Sequence, residues 1–360
     1  MINKLLSIAA LLLASITTSI CRSENAPKHT YRTVRLANGI VAFIASESNT
    51  GVVSGNSIAI MGDEGVLVVD STNFPSHARQ MIAEIKQMTN QPVRFVVHTH
   101  WHPDHLLGDI EYRTAFPDVV IVSTGFTKTA IIDRASKYVN PEQGPGYAAR
   151  LRKQVREGKD EAGKSLSDAD RKYLTDFANS VEFAIPEFKR AKLIPPNLTF
   201  DHDLTISLGK RDVQLLFLGR GNTGGDAVIF APDSKVVIVG DLLVSPTPYS
   251  YGSYLTEWVQ TLAKVKALGA TIIVPGHGPV EHDYSYLDLV SSLLQYVTSQ
   301  VQQAERQGLS LENTRKKVNL TAFERKFAGD DDDRQRAFRT GFTQQAIERA
   351  YQEAKFADEE

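Results

Sequence analysis

Apolar residues along this chain gather in short runs. Three come early: "IVAFIAS" (40–46), "NSIAIMG" (56–62) and "GVLVVDS" (65–71). Each is rich in Val, Ile or Leu and bounded by glycine-containing turns, so each predicts a β-strand, with "GDEG" (62–65) as a hairpin connection. The period then changes. In "SHARQMIAEIKQM" (76–88), Ala78, Met81, Ile82, Ile85 and Met88 recur at helical intervals and predict one apolar helix face. Strand patterning returns in "VRFVVH" (93–98) and "VVIVST" (119–124).

From about 127 to 195 charged residues dominate a helical pattern, and Ser167 stands three places before Asp170, the layout of a capping box. This segment reads as an insertion lying over a sheet core. Strands resume with "DLTISL" (203–208), "VQLLFLG" (213–219), "AVIFA" (227–231), "VVIVGD" (236–241) and "TIIVPGHG" (271–278), with the helix "LTEWVQTLAKVKALG" (255–269) between the last two. Beyond 285 the pattern is helical, and the acidic run "GDDDD" (329–333) suits a helix N-terminus, where negative charge meets the helix dipole. Strands and helices in this order predict a layered α/β domain over 30–284, helices outside a sheet core, followed by a helical C-terminal extension over 285–360.

Composition changes this picture little. With 42% hydrophobic and 23% charged residues the chain reads as an ordinary globular protein, and 40 basic against 42 acidic residues imply no general attraction to nucleic acid or an acidic membrane. The first residues add a compartment. Lys4 precedes an apolar run from Leu5 to Ala14 and then small and polar residues, which predicts a signal peptide over 1–21 and a periplasmic or secreted protein. That run is short for a membrane span. The sole cysteine, Cys21, stands where cleavage would fall; a lipoprotein anchor there is the alternative, although Ile20 is a poor residue before a lipidated cysteine. With no disulfide to form, the mature chain depends on packing and metal.

Chemistry concentrates in "VVHTHWHPDH" (96–105), where His98, His100, His102, Asp104 and His105 follow a strand. Alternation places His98, His100 and His102 on one side. Neutral imidazoles and carboxylates are the donors a divalent ion such as zinc takes, but one stretch of chain cannot close a coordination shell. Later strand ends supply candidates: Asn222 in "GRGNTGGD", Asp241 in "VVIVGDLL" and His277 in "TIIVPGHG", each among glycines that permit close backbone approach. Each also has a plainer reading, Asn222 and Asp241 as turn residues and His277 as part of a strand-ending turn. His98 reads as a neighbour of the ligands, and His29, His77, His202 and His282 as surface histidines.

With these residues in register the chain resembles the metallo-β-lactamase superfamily, whose H-x-H-x-D-H pattern appears as His100-Trp101-His102-Pro103-Asp104-His105. The likeness runs over roughly 50–125 and 200–282, takes in the strand ending at Asp70, and leaves out the charged insertion and the C-terminal helices. It implies a four-layer αββα sandwich with metals at the rim of its two sheets. It implies further that His100 and His102, with Asn222 in third place, hold one ion, that Asp104, His105 and His277 hold a second, and that Asp241 bridges them. The family has a histidine where this chain has Asn222. A neutral amide oxygen is a poorer donor to zinc than imidazole, so the first ion is expected to be held more weakly. Asp70 is expected to fix the tautomer of a ligating histidine.

The function so implied is an exported hydrolase with one or two zinc ions, in which metal-bound hydroxide attacks the carbonyl of an amide or ester and Asp104 orients it. β-Lactams, lactones and related small molecules are the expected substrates; near-neutral charge argues against nucleic acid. Two alternatives stand: a redox or dioxygen enzyme with iron at the same ligands, and a metal-binding protein with weakened turnover. "SPTPYSYGSY" (245–254) is expected beside the site, and the 127–195 insertion as a lid or groove wall.

Overall fold

The computed structural model describes residues 30–46, 51–138 and 142–357, so the signal peptide read over 1–21, with Cys21, lies outside the described residues. One sheet contains, in chain order, β1 (Tyr31–Ala37), β2 (Ile40–Ala45), β3 (Ser57–Met61), β4 (Val66–Val69), β5 (Val93–Val97), β6 (Val120–Thr124) and β7 (Leu198–Phe200). β1 to β4 run antiparallel, and β4 to β7 run parallel. The other sheet contains β8 (Asp203–Ser207), β9 (Asp212–Leu216), β10 (Val228–Ala231), β11 (Val236–Val244) and β12 (Ile272–His277), antiparallel except for the β11/β12 pair.

Side-chain alternation along β2 shows how the layers arise. Ile40, Ala42 and Ile44 face the second sheet and share a core with Leu215, Ile229 and Ile238. Val41 and Phe43 point the other way, onto Ala78, Met81, Ile82 and Ile85 of the helix Pro75–Met88. The outer face of the second sheet, including Val237 and Val239, is covered by the helices Leu255–Ala267 and Ser285–Arg306 and by apolar residues of Gln344–Ala357. The order is helix, sheet, sheet, helix: the αββα sandwich. Each fully buried Ile or Phe stabilises such a core by roughly 1.5–3 kcal/mol.

Two strands escape the hydrophobic pattern for a shared reason. β1 is an edge strand whose Arg32 and Thr33 are exposed, so it carries no apolar run, and β7 is three residues long with one buried residue. β1 also accounts for His77, which is buried and not a surface histidine: its ring meets Tyr31 of β1 at 5.6 Å and Phe74 at 5.2 Å, both edge-on. Met88, the last helical residue, is 43% exposed, so the buried face of its helix ends at Ile85.

The 127–195 segment is mostly helical. Gln143–Glu157 and Asp168–Arg190 pack together through Ala148, Leu151, Ala178 and Val181. The longer helix opens with the capping box: Ser167 Oγ accepts from Asp170 N at 3.1 Å and Asp170 Oδ2 accepts from Ser167 N at 3.1 Å. Its far end is fastened to the body by buried Glu111, which binds both Arg190 and Arg79. In the acidic run, Asp331 caps the next helix by accepting from Arg334 N at 2.9 Å.

Candidate metal centre

The site lies where strands from both sheets end. β5 leads into His98, whose N–H donates to Val122 O at 2.9 Å, and the chain then turns through a 3-10 segment, Pro103–His105. That turn is pinned from two sides, Ser71 N donating to His105 O at 2.7 Å and Gly55 N to Asp104 O at 3.1 Å. In the second sheet the β11/β12 register shifts on either side of Gly240. Gly240 has φ +53°, and a Cβ there would stand 2.6 Å from Thr99 Cβ. Glycine therefore lets the next residue, Asp241, enter the cluster. Gly276 of β12 is needed for close approach, since its Cβ would lie 2.0 Å from Asp241 Oδ1.

His100, His102, Asp104, His105, Asp241 and His277 are brought together. His105 Nε2 lies 3.2 Å from His277 Nε2, 3.3 Å from Asp241 Oδ1 and 3.5 Å from Asp104 Oδ2, and His277 Nε2 lies 3.1 Å from Asp104 Oδ2. On the other side of Asp241, Oδ2 is 3.4 Å from His100 Nε2 and 3.8 Å from His102 Nδ1. Donor atoms of His100, His105 and Asp241, and again of Asp104, His105 and His277, fall within 4.8 Å of one another. Asn222 is fully buried; its Nδ2 donates to Tyr249 O at 3.0 Å.

These residues fit a metal by a test internal to the chain. Asn222 Oδ1, His100 Nε2 and Asp241 Oδ1 are buried with no hydrogen-bond partner among the described residues. Buried polar atoms are almost always paired, and those of His100 and Asp241, left over at a cluster of imidazoles and carboxylates, are donors for an ion. Nitrogen and oxygen donors without sulfur suit zinc or iron.

Neighbouring groups orient the cluster. Asp70, at φ +54°, accepts from Thr99 N at 2.8 Å and Thr99 Oγ1 at 2.7 Å, and lies 2.8 Å from His105 Nδ1. When the ring is neutral, as it must be to hold an ion, that contact keeps the His105 proton on Nδ1 and turns Nε2 towards the cluster. His98 pairs instead with buried Asp109, Nε2 to Oδ2 at 2.9 Å. Thr99 and Asp109 were not singled out by the sequence, because nothing in their local pattern marks these contacts.

Electrostatics follow from burial. Burial pushes His100 down to about 4. Burial opposes charge on His105 as well, but the carboxylates of Asp104, Asp241 and Asp70 outweigh it and hold the imidazole well above its ordinary value. Against the same burial, His100, His277 and His105 keep Asp241 well below the carboxylate range, and His105 and His277 keep Asp104 below it. Both aspartates are therefore ionised at neutral pH.

Above the cluster opens a cavity of about 620 Å³ with His102, Asp104, Asp241 and His277 among its lining residues. Trp101 and Tyr249 line it, and Tyr173 and Phe177 bring the insertion to it. The segment 245–251 does border the site. Ala337, Thr340 and Gly341 of the C-terminal extension also line it, small residues that carried no signal in the sequence. Among the described lining residues there is no Lys or Arg.

Comparison with known proteins gives a consistent result. A family model described as the metallo-beta-lactamase superfamily matches residues 50–277. A linear primary-alkylsulfatase of Pseudomonas sp. (strain ATCC 19151) is 26% identical over 281 residues, covering 72% of this chain and 49% of that protein. A metallo-beta-lactamase type 2 of Bacteroides fragilis is 30% identical over 147 residues, 39% of this chain and 57% of that one. The chain thus spans about half the length of these curated relatives. A metallo-beta-lactamase structure from Pontibacter korlensis shares the fold, with TM-score 0.53 at 19% identity over 74% of this chain and 99% of that one.

Proposed function

The chain belongs to the metallo-β-lactamase superfamily, and from that premise we propose that it is an exported, zinc-dependent hydrolase of a small amide or ester, β-lactams and lactones included. The observation that carries this reading is the cluster of unpaired buried donors beside an aromatic-walled cavity. His100, His102 and Asn222 Oδ1 would hold one ion, Asp104, His105 and His277 a second, with Asp241 shared between them. Bound there, zinc would supply Lewis acidity that makes water a nucleophile near neutral pH and polarises the group attacked.

The chain's own residues supply the rest. Asp104 is 18% exposed and lines the cavity, where its carboxylate accepts a hydrogen bond from the attacking water and aims it. Asp70 keeps His105 in one tautomer. Trp101, Tyr173, Phe177 and Tyr249 exclude solvent and favour a substrate with an apolar body. A lining without Lys or Arg among the described residues weighs against nucleic acid.

A second reading, hydrolysis of a sulfate ester, is favoured by the alkylsulfatase relative, whose match covers 72% of this chain. Metal analysis of the purified mature protein, followed by assays on nitrocefin, a lactone, a p-nitrophenyl ester and dodecyl sulfate, tests both. About one to two equivalents of zinc are expected, with turnover of a carbonyl substrate. Turnover of dodecyl sulfate alone selects the second reading. Stoichiometric iron, or no metal, rejects the proposal.

A further inference from the structure

The segment 245–254 links β11 to the helix Leu255–Ala267 and borders the cavity, yet the sandwich core does not hold it alone. The C-terminal extension does much of that work. Buried Ser250 donates from N to Gly341 O at 3.1 Å and from Oγ to Phe342 O at 3.1 Å. Arg349 Nε donates to Ser253 O at 2.8 Å. Glu353 accepts from Leu255 N at 2.8 Å and from Thr256 N at 3.1 Å, serving a helix start that has no side-chain cap of its own.

Tyr249 stands immediately before Ser250, and its carbonyl accepts from Asn222 Nδ2 at 3.0 Å. An asparagine side chain presents a donor on one side and an acceptor on the other, so fixing Nδ2 fixes where Oδ1 points. Asn222 Oδ1 is left buried without a hydrogen-bond partner among the described residues. The Tyr249 ring in turn lies 6.0 Å from that of His102.

We propose that Ser250 is a positioning residue: by tying the segment 245–254 to the C-terminal extension it holds the Tyr249 carbonyl against Asn222, and so turns Asn222 Oδ1 into an oxygen donor for the ion at His100 and His102. This rests on the metal reading above. It makes the C-terminal extension part of the metal centre, although none of its residues is a ligand.

Zinc titration of the full chain against a chromophoric chelator tests it, with cobalt(II) absorption as a second signal. The wild type should show a weaker and a tighter class of ion. Ser250→Ala should weaken the weaker class by about 10-fold, as expected when a group supporting a ligand is lost, and leave the tighter class unchanged. Asn222→Leu should weaken the same class, and adding Ser250→Ala to it should have no further effect. If Ser250→Ala does not fold, Arg349→Gln, which releases the same segment at Ser253, should weaken that class in its place. Asn222→Leu weakening a class that neither Ser250→Ala nor Arg349→Gln touches overturns the positioning role while leaving the metal reading intact. Unchanged binding in Asn222→Leu overturns Asn222 as donor and the proposal with it. A wild type that binds no ion overturns both readings.

Discussion

Replacing Asp70 by Asn changes almost nothing in shape and much in hydrogen bonding. The residue sits at φ +54°, a conformation that Asn tolerates better than most side chains, so the backbone should stay in place. An Asn Oδ1 still accepts from Thr99 N, now 2.8 Å from the carboxylate. The other oxygen becomes an NH2 group and loses both of its roles. Thr99 Oγ1 loses its acceptor there and keeps only His100 Nδ1 at 2.9 Å, whose proton it accepts when Nε2 is free for an ion. His105 has no acceptor for an Nδ1 proton: facing an NH2 group, the ring must move that proton to Nε2, the atom that faces His277 and Asp241. A hydrogen bond to a charged group contributes about 1.5–3 kcal/mol, and each 1.4 kcal/mol is about tenfold in affinity. Zinc binding at the cluster should therefore weaken about 10- to 100-fold, in line with other losses of groups that orient ligands. Chelator competition measures the affinity, and the unfolding midpoint of metal-free variant and wild type separates this from a folding defect. Affinity within twofold of wild type, in a folded variant, would refute the reasoning that Asp70 sets the His105 tautomer.

Other consequences can be checked directly. His105 has its folded pKa raised above the ordinary 6.5, so it stabilises the metal-free protein fully below that value and ceases to do so as pH rises through the raised pKa. The unfolding midpoint of chelator-treated protein should accordingly fall on raising the pH above 6.5, and zinc addition should release protons, read by calorimetry in buffers of different ionisation enthalpy; a flat midpoint and no proton release would contradict this. Gly276→Ala would set a Cβ 2.0 Å from Asp241 Oδ1 and should lower metal content far more than it alters circular dichroism; full metal content would show that Asp241 can move aside at no cost. Phe338, fully buried and with its ring 5.7 Å from Phe327 and 5.5 Å from Phe342, should cost about 3–5 kcal/mol when cut to Ala, measured by urea unfolding.

How far the fold could be read beforehand depended on where each element lies. β2, β4 and β11 are covered on both faces and read as apolar runs, whereas β1, at a sheet edge, sets exposed Arg32, Thr33 and Arg35 among half-buried residues. The residues gathered at the cluster were legible for a different reason. Four of them come from one short stretch, and Asp241 and His277 come after apolar runs in company with glycine. Asp70 could be named from its strand end, but its grip on Thr99 is a contact across 29 positions that no local pattern encodes. Ala337, Thr340 and Gly341 have no chemistry to advertise, and only packing brings them to the cavity. Asn222 was visible as a departure from the family pattern, while its hold on the Tyr249 carbonyl was not.

The dependence of segment 245–256 on Glu353 and Ser250's partners imposes an order on events during synthesis. The cluster residues are all in the nascent chain once His277 has been added, but Glu353 follows only about 75 residues later, on the order of 4 to 15 s at ordinary elongation rates. Through that interval the helix Leu255–Ala267 lacks its cap, and Leu255, Trp258 and Leu262 lack the cover of Phe338, Phe342 and Ile347. A chain that folds within that interval would have its sandwich nearly whole while an apolar flank beside the future site stands open. That stage is when a chaperone would have most to hold and when self-association would compete most strongly with completion.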